Sequence, residues 1–384
     1  MAKLSPGIQV SEVEYRSFVS NLDVVSIGIV GKGGENAVSE VVRLNNAEEL
    51  VNTFGPDIDD IGYKSAKLIL SRGVPVYYKA INPGGSESSD ADYLNEKGLD
   101  AFSNADTLNI SVLMVPGVST NDVIQAGIKV AESRGECIFL ADPPSGLTPR
   151  QVVDWSNAKG TYTDNSQINS DYAAIYYPWV KVAESESTVV YPPSVFVAIC
   201  TALAEDSGES WKAIAGVERG LISNVAGLEY QLTQTECDNI YGGYNVINPI
   251  INNSSIGIVI WGNKTTHRNI TGVSGAPIGS VNVRRVLNYV KKTTKATSLY
   301  LLFAPNDSYT WSQFKNMIDP VLRGIKAERG IDEYKVLLDS TTTTEEDKDN
   351  QVMKAIIYIK PVRAVEFIEV DFIVTPYTVS LFEE

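Results

Sequence analysis

The sequence predicts an α/β and α+β multidomain protein: a layered α/β middle domain on a mainly parallel sheet, then a C-terminal α+β domain. Two observations carry this. Between residues 108 and 205, short apolar runs alternate with amphipathic stretches, the rhythm of βαβ units. Beyond residue 330, two strand-like runs flank a polar connection. A chain of 384 residues with 43% apolar side chains has ample material for more than one core.

In order along the chain, Val24–Val30 is a continuous apolar strand ended by Gly31-Lys-Gly-Gly34. Ala47–Phe54 is a short helix behind Asn46, stopped by Gly55-Pro56. Tyr63–Leu70 gives a second helix, Val74–Ile81 a strand, and Asn82–Asp92 a Gly/Ser-rich loop. Strands follow at Leu108–Val115, Cys137–Ala141 and Tyr172–Tyr176, with helices at Thr120–Ser133, Arg150–Lys159 and Ser194–Glu205. Asn248-Pro249 closes this region. Ile256–Trp261 is a buried strand. Val281–Lys292 is a helix whose core stripe is Val283, Val286, Leu287 and Val290, with Arg284, Arg285, Lys291 and Lys292 elsewhere on its surface. Ser312–Glu328 is another helix, kinked at Pro320. Tyr334–Asp339 is a strand, Ser340–Asn350 a loop with nothing to bury, and Val352–Lys360 a strand apolar on both faces, as a central strand is. Val365–Val374 is β-branched and aromatic with Glu366, Glu369 and Asp371 threaded through it, a half-wet edge strand.

The balance of charge excludes several functions. A formal charge of −15 argues against a nucleic-acid or anionic-membrane partner, which needs clustered Lys and Arg. It suits close packing or a basic partner, and equally it serves solubility alone. No window reaches the continuous apolar length of a membrane helix, and the start lacks the apolar region of a secretory signal. Cys137, Cys200 and Cys237 are isolated, the pattern of buried thiols in a reducing cytoplasm.

No catalytic, cofactor or metal site is expected. The glycines after the first strand fail the dinucleotide spacing, since the third falls on Asn36. His267 is the only histidine and no G-x-S-x-G elbow accompanies it. The competing readings are an α/β hydrolase, which needs His267 beside a nucleophile, and a monomeric adhesin or binding module.

The two ends of the chain are extended in character. In the arm 4–20, Ile8, Val10, Val13 and Tyr15 are scattered without helical period; at the other end Phe367, Val370, Phe372 and Val374 lie in the edge strand. Neither end can bury itself, so pairing with another chain would satisfy its backbone groups.

Several segments together resemble one family, the contractile tail sheath proteins of phages, tailocins and related injection particles. Ser5-Pro-Gly-Ile-Gln-Val-Ser-Glu-Val13 is similar to that family's opening, and Leu44–Gly55 to its loop, short helix and F-G signature. Asp142-Pro-Pro144, Tyr176-Tyr-Pro-Trp179 and Ala215-Gly-Val-Glu-Arg-Gly220 resemble middle-domain motifs. Asn248-Pro-Ile250, Gly257–Thr265, Val281-Asn-Val-Arg-Arg285 and Ile359–Phe367 resemble the later ones, with Ala364-Val365 where the family often has Pro-Ala.

The resemblance implies a subtilisin-like but non-catalytic middle domain, and an inner domain whose sheet is completed by arms lent by neighbours. It divides the chain into an arm at 1–22, an α/β segment at 23–90, the middle domain at 91–250, the inner domain at 251–375 and a second arm at 376–384. The implied function is that of a subunit of stacked hexameric rings around an inner tail tube, contracting to drive the tube through a cell envelope. Implied partners are copies of itself, the tube protein, and baseplate and tail terminator proteins, with no nucleic acid and no membrane contact. The implied location is a virion tail or extracellular particle assembled in the bacterial cytoplasm. Arg284, Arg285, Lys291, Lys315, Lys326 and Arg329 are the residues expected to face an acidic tube.

Overall fold

The computed structural model describes residues 27–366, apart from 36, 57, 83–88, 185–186, 209–210, 243 and 269–276. The expected arm strands, Ile8, Val10, Val13 and Tyr15 at one end and Phe367, Val370, Phe372 and Val374 at the other, lie outside the described residues.

Thirteen strands and nine α-helices occur among the described residues. The first part contributes β1 (Ile27–Gly31), β2 (Val42–Leu44), α1 (Ala47–Phe54), α2 (Ile61–Ser71) and β3 (Val76–Ala80). Then come β4 (Val112–Met114), α3 (Asn121–Arg134), β5 (Ile138–Ala141), α4 (Pro149–Ser156) and β6 (Ala173–Tyr177). β7 (Val180–Ala183), β8 (Thr188–Tyr191), α5 (Pro193–Asp206), β9 (Gly227–Leu228), α6 (Gln234–Tyr241), β10 (Ile247–Asn253) and β11 (Gly257–Ile260) complete the large body. α7 (Val281–Ser298), α8 (Ser308–Ala327), β12 (Ile331–Leu337), α9 (Glu345–Asp349) and β13 (Ile356–Pro361) form a C-terminal unit.

One eight-stranded sheet organises the body, in the order β11-β10-β6-β5-β4-β1-β3-β2. The six inner strands run parallel, while β2 and β11 are antiparallel edges. Along the inner strands side chains alternate between two cores: Ile27 and Ile29 on one face, Val30 on the other; Leu140 on one, Phe139 on the other. α1, α2 and α5 cover the first face, and α3, α4 and α6 the second. Strands buried on both faces are therefore continuous apolar runs. The segment 23–90 shares its sheet with the middle region, and the β10–β11 hairpin carries that sheet past the expected boundary at 250/251.

Proline did not end the sheet. Asn248 and Pro249 lie inside β10, where the Asn248 side-chain amide donates to the Ile175 (3.0 Å) and Lys264 (2.7 Å) carbonyls and its oxygen accepts the Lys264 N–H (2.7 Å). A buried amide satisfied in this way costs the strand little.

The C-terminal unit has its own core, where Val286 and Val290 of α7 meet Phe314, Ile318, Leu322 and Ile325 of α8 and Ile331 of β12. α8 begins four residues before its expected start, because Asp307 caps it by accepting the Thr310 N–H at 2.9 Å. It runs through Pro320 as one helix, that residue lying on the exposed side. The connection 340–350 is not featureless. Thr344 and Asp347 form a reciprocal capping box that starts α9, and Thr343 is buried.

Among the described residues β13 is an edge rather than a central strand: it pairs there with β12, in register Tyr334↔Ile359, Val336↔Ile357 and Leu337↔Ile356. Ile357 and Ile359 rest on the unit's core, while Ile356 and Tyr358 of the opposite face are 43% and 55% exposed. Its second apolar face has no cover among the described residues.

Candidate functional site

The closest approach to a catalytic group is Ser194, the second residue of α5. Its Oγ donates to Asp142 Oδ2 at 2.6 Å and its N–H to Oδ1 at 3.0 Å, while the Gly117 N–H reaches Oδ2 at 3.2 Å. Both side chains are buried, and burial pushes the Asp142 carboxyl up to about 6 against the pull of those donors. A serine locked onto a carboxylate, without an imidazole, has no base to activate it. His267 follows β11 in a separate segment, its N–H bonded to Thr265 Oγ1 at 3.4 Å. In the turn after β1 the amides are already used: Lys32 N–H donates to Asp60 and Gly33 N–H to Asn82. No group of three or more metal-ligating side chains occurs among the described residues, and no helix there is long and apolar enough to cross a membrane.

What the fold assembles instead is a charged seam between body and C-terminal unit. Arg284 pairs with Asp171 and stacks 4.1 Å over the Tyr172 ring. Arg285 donates to Glu205 at 3.1 and 3.3 Å and to the Lys212 carbonyl at 3.1 Å. Asn288 donates to the Cys137 carbonyl at 3.1 Å, Lys291 to the Tyr172 hydroxyl at 2.6 Å, and Lys295 pairs with Asp106 at 2.7 Å. These side chains form the body-facing side of α7; Val286 and Val290 form the side facing α8. Trp211 bridges from the body, its indole N–H donating to the Glu328 carbonyl at 3.2 Å and its ring edge-on to Tyr289.

The expectation that Arg284 and Arg285 lie on the surface therefore does not hold. Each is about 95% buried and spent within the subunit. Arginine's planar fork carries its charge into such a site because it can satisfy several acceptors at once. Lys291 is exposed but engaged with Tyr172; Lys315 is half-buried; Lys326 and Arg329 are exposed at the end of α8.

Sequence reasoning passed over Arg268. It is buried and donates to the carbonyls of Ile168 (3.2 Å), Tyr244 (2.9 Å) and Ser156 (3.1 Å), and to Asn157. No carboxylate balances it in these contacts. The C-terminal end of α4, with its negative partial charge, does so. Burial lowers its pKa to about 10, which leaves it charged at neutral pH. An arginine in the polar segment Thr265-Thr-His-Arg268 was the only signal in the sequence.

A doubly covered, mainly parallel sheet joined to a separate helix–hairpin unit defines a two-part α/β and α+β protein. Residues 89–266 match the phage tail sheath protein central domain and residues 274–375 the phage tail sheath C-terminal domain. The chain belongs to the phage tail sheath family, whose members are structural proteins and not enzymes. It is 33% identical over 261 residues to the tail sheath protein of Enterobacteria phage T4, covering 65% of this chain and 38% of that protein. To the tail sheath protein of Vibrio phage KVP40 it is 26% identical over 378 residues, covering 90% of this chain and 54% of that protein. The chain thus spans about half or less of the length of these relatives.

Among solved structures, the sheath of the extracellular contractile injection system PVC in its contracted state gives a TM-score of 0.71 at 22% identity, covering 97% of this chain and 98% of that one. The contracted helical sheath of the anti-feeding prophage gives 0.66 at 20% identity, covering 97% and 99%. A sheath tail protein from Listeria innocua gives 0.61 at 10% identity, covering 88% and 92%.

Proposed function

We propose that this chain is a contractile sheath subunit of a phage tail or extracellular injection particle. Copies assemble as stacked hexameric rings around an inner tail tube and contract to drive it through a cell envelope. The observation that favours this reading is the β12–β13 hairpin: its inner face is packed, and among the described residues its outer face has no cover and neither strand has a further pairing partner. In the proposal, residues 1–22 and 376–384 are arms, and strands around Ile8, Val10, Val13 and Tyr15, and around Phe367, Val370, Phe372 and Val374, extend the hairpin sheets of neighbours. The large body, which β10 and β11 carry on to Ile260 and which holds a subtilisin-like, non-catalytic middle domain, then moves outward on contraction while the arms keep the C-terminal unit tethered to its neighbours.

A switch of this kind needs only a few kcal/mol of difference per subunit between two packings, because the lattice sums it. The extended form is held kinetically until the baseplate releases it. Of the basic residues first considered for the tube contact, burial removes Arg284 and Arg285. Lys315, Lys326 and Arg329, with Lys291 in a lesser role, remain to face an acidic tube, a contact weak enough to let the tube slide.

Deleting residues 1–20 is expected to leave a folded monomer that no longer polymerises. Contractile cylinders of the truncated chain in electron micrographs would sink the arm reading. Neutralising Lys315, Lys326 and Arg329 together is expected to weaken co-assembly with tube and to flatten its salt dependence; unchanged co-assembly removes them from that contact. A monomeric binding module predicts no concentration-dependent polymerisation by the intact chain.

A further inference from the structure

The segment that follows β13 does not stay with the C-terminal unit. Its first residue is still on that unit, the Val362 N–H donating to the Gly330 carbonyl at 3.2 Å. Gly330 lies against the Trp211 ring that bridges the seam, so close that a Cβ there would overlap it. Four residues later the chain has reached the body. The Glu366 carboxylate lies beside the hydroxyl of Tyr241, the last residue of α6, and within electrostatic reach of Lys264. Residues 362–366 can span at most about 14 Å when extended, so the chain crosses where body and C-terminal unit come close together.

The place where Glu366 arrives is held by contacts of its own. The Lys264 ammonium sits 3.9 Å over the Tyr241 ring and donates to the Tyr241 carbonyl at 2.7 Å, and the Asn263 N–H meets the Tyr241 hydroxyl at 3.4 Å. Asn248, inside β10, grips the Lys264 backbone by its N–H and its carbonyl, each at 2.7 Å. Tyr241 and Lys264 are half-buried, whereas Val365 and Glu366 are exposed. Burial pulls the Lys264 pKa down, and the Glu366 charge opposes that pull. A half-buried ammonium is screened less than one in open water, so a carboxylate brought to it gains more than at a bare surface.

We infer that residues 362–366 are a strap across the seam, and that Glu366, seated on Tyr241 and Lys264, is a positioning residue for the C-terminal arm. The inference rests on the sheath reading, in which the strand around Phe367 extends a neighbour's hairpin sheet. Phe367 is the next residue in the chain, so the arm starts from a fixed point on the body instead of swinging from the end of β13. A tether with a fixed origin, and with five fewer free residues, presents its strand at a higher effective concentration to one site. Glu366 thus favours assembly without itself touching a neighbouring copy. It also makes the arm follow the body, so that movement of the body carries the arm with it.

The test uses the full chain in two assays. In dilute monomer, a water-soluble carbodiimide joins a carboxylate to an amine in contact with it, and peptide mapping of the monomer band is expected to show Glu366 coupled to Lys264. In assembly, Glu366→Gln is expected to raise the concentration for half-assembly about threefold to fivefold at an unchanged urea midpoint. Glu366→Lys, which sets two cations together, should raise it about tenfold or more, and Glu366→Asp should fall between wild type and Glu366→Gln. Absence of the Glu366–Lys264 coupling overturns the strap, and a Glu366→Lys chain that assembles like wild type overturns the positioning role; both leave the sheath reading standing. A urea midpoint that falls together with assembly marks a merely structural contact and overturns the positioning role as well. A wild-type chain that stays monomeric at every concentration overturns the sheath reading, and the role of Glu366 with it, whatever the coupling shows.

Discussion

Replacing Arg285 by alanine tests whether the seam is structural. Its guanidinium makes two hydrogen bonds to Glu205 and one to the Lys212 carbonyl, and the paired side chains are 4% and 11% exposed. Removing one partner of a buried pair leaves a carboxylate without compensation, at about 3–5 kcal/mol. Lys292 also lies within electrostatic reach of Glu205 and offsets part of this, which favours a figure of about 3 kcal/mol. That is a large share of the roughly 5–15 kcal/mol holding a domain folded. An internal control is available in Arg323 and Asp319, an i,i+4 pair at 73% and 37% exposure, whose loss should cost about 1 kcal/mol or less. Urea unfolding followed by circular dichroism should show a lower midpoint at unchanged slope for Arg285→Ala and almost none for Arg323→Ala. The double variant Arg285→Met, Glu205→Leu should recover most of the loss, because it leaves no orphaned charge. Equal, small effects of the two alanine variants, or a double variant as weak as the single, would refute this account of the seam.

Asp142 gives a pH dependence with a definite sign. Its folded pKa, about 6, lies above the unfolded value near 3.8, so the folded state binds more protons between those limits and stability falls as pH rises through 4 to 6. The full penalty, about 3 kcal/mol, is present above pH 6, and Asp142→Asn should abolish the slope in that window; parallel pH profiles would contradict it. Gly127 of α3 lies against Phe139, and a Cβ there would overlap the ring. Gly127→Ala should destabilise by about 1–3 kcal/mol from overpacking, less up to about 1 kcal/mol of helix propensity, and a rise in melting temperature would show that the ring yields freely.

The inner strands were legible because burial on both faces leaves a continuous apolar run, as at Ile138–Ala141 and Ala173–Tyr177. Helix ends were legible where a cap was present in sequence, as with Asn46 before α1. β10 was hidden because Pro249 masks a strand and Asn248 disguises its polarity through three hydrogen bonds to groups far along the chain. The three-stranded sheet β8-β7-β9 was missed because its strands are short and two of them are half-exposed. The seam was unreadable for a different reason. Nothing local distinguishes an arginine in water from one whose partner, such as Asp171 or Glu205, is about a hundred residues away.

That misreading bears on how force would pass through the subunit. α7 carries two incompatible faces, one apolar and committed to the helix–hairpin unit, the other charged and committed to the body. A purely apolar joint could slide, because dispersion and burial are indifferent to small shifts. Directional, buried ion pairs and a tryptophan pinned to the Glu328 carbonyl are not indifferent; a displacement that separates Arg285 from Glu205 exposes the full cost of a stranded charge. In the proposed assembly, load on the β12–β13 hairpin would therefore reach the eight-stranded body through a joint that resists sliding. In the proposed assembly, a change of arrangement between copies then draws on surfaces outside the seam, such as the hairpin face of Ile356 and Tyr358.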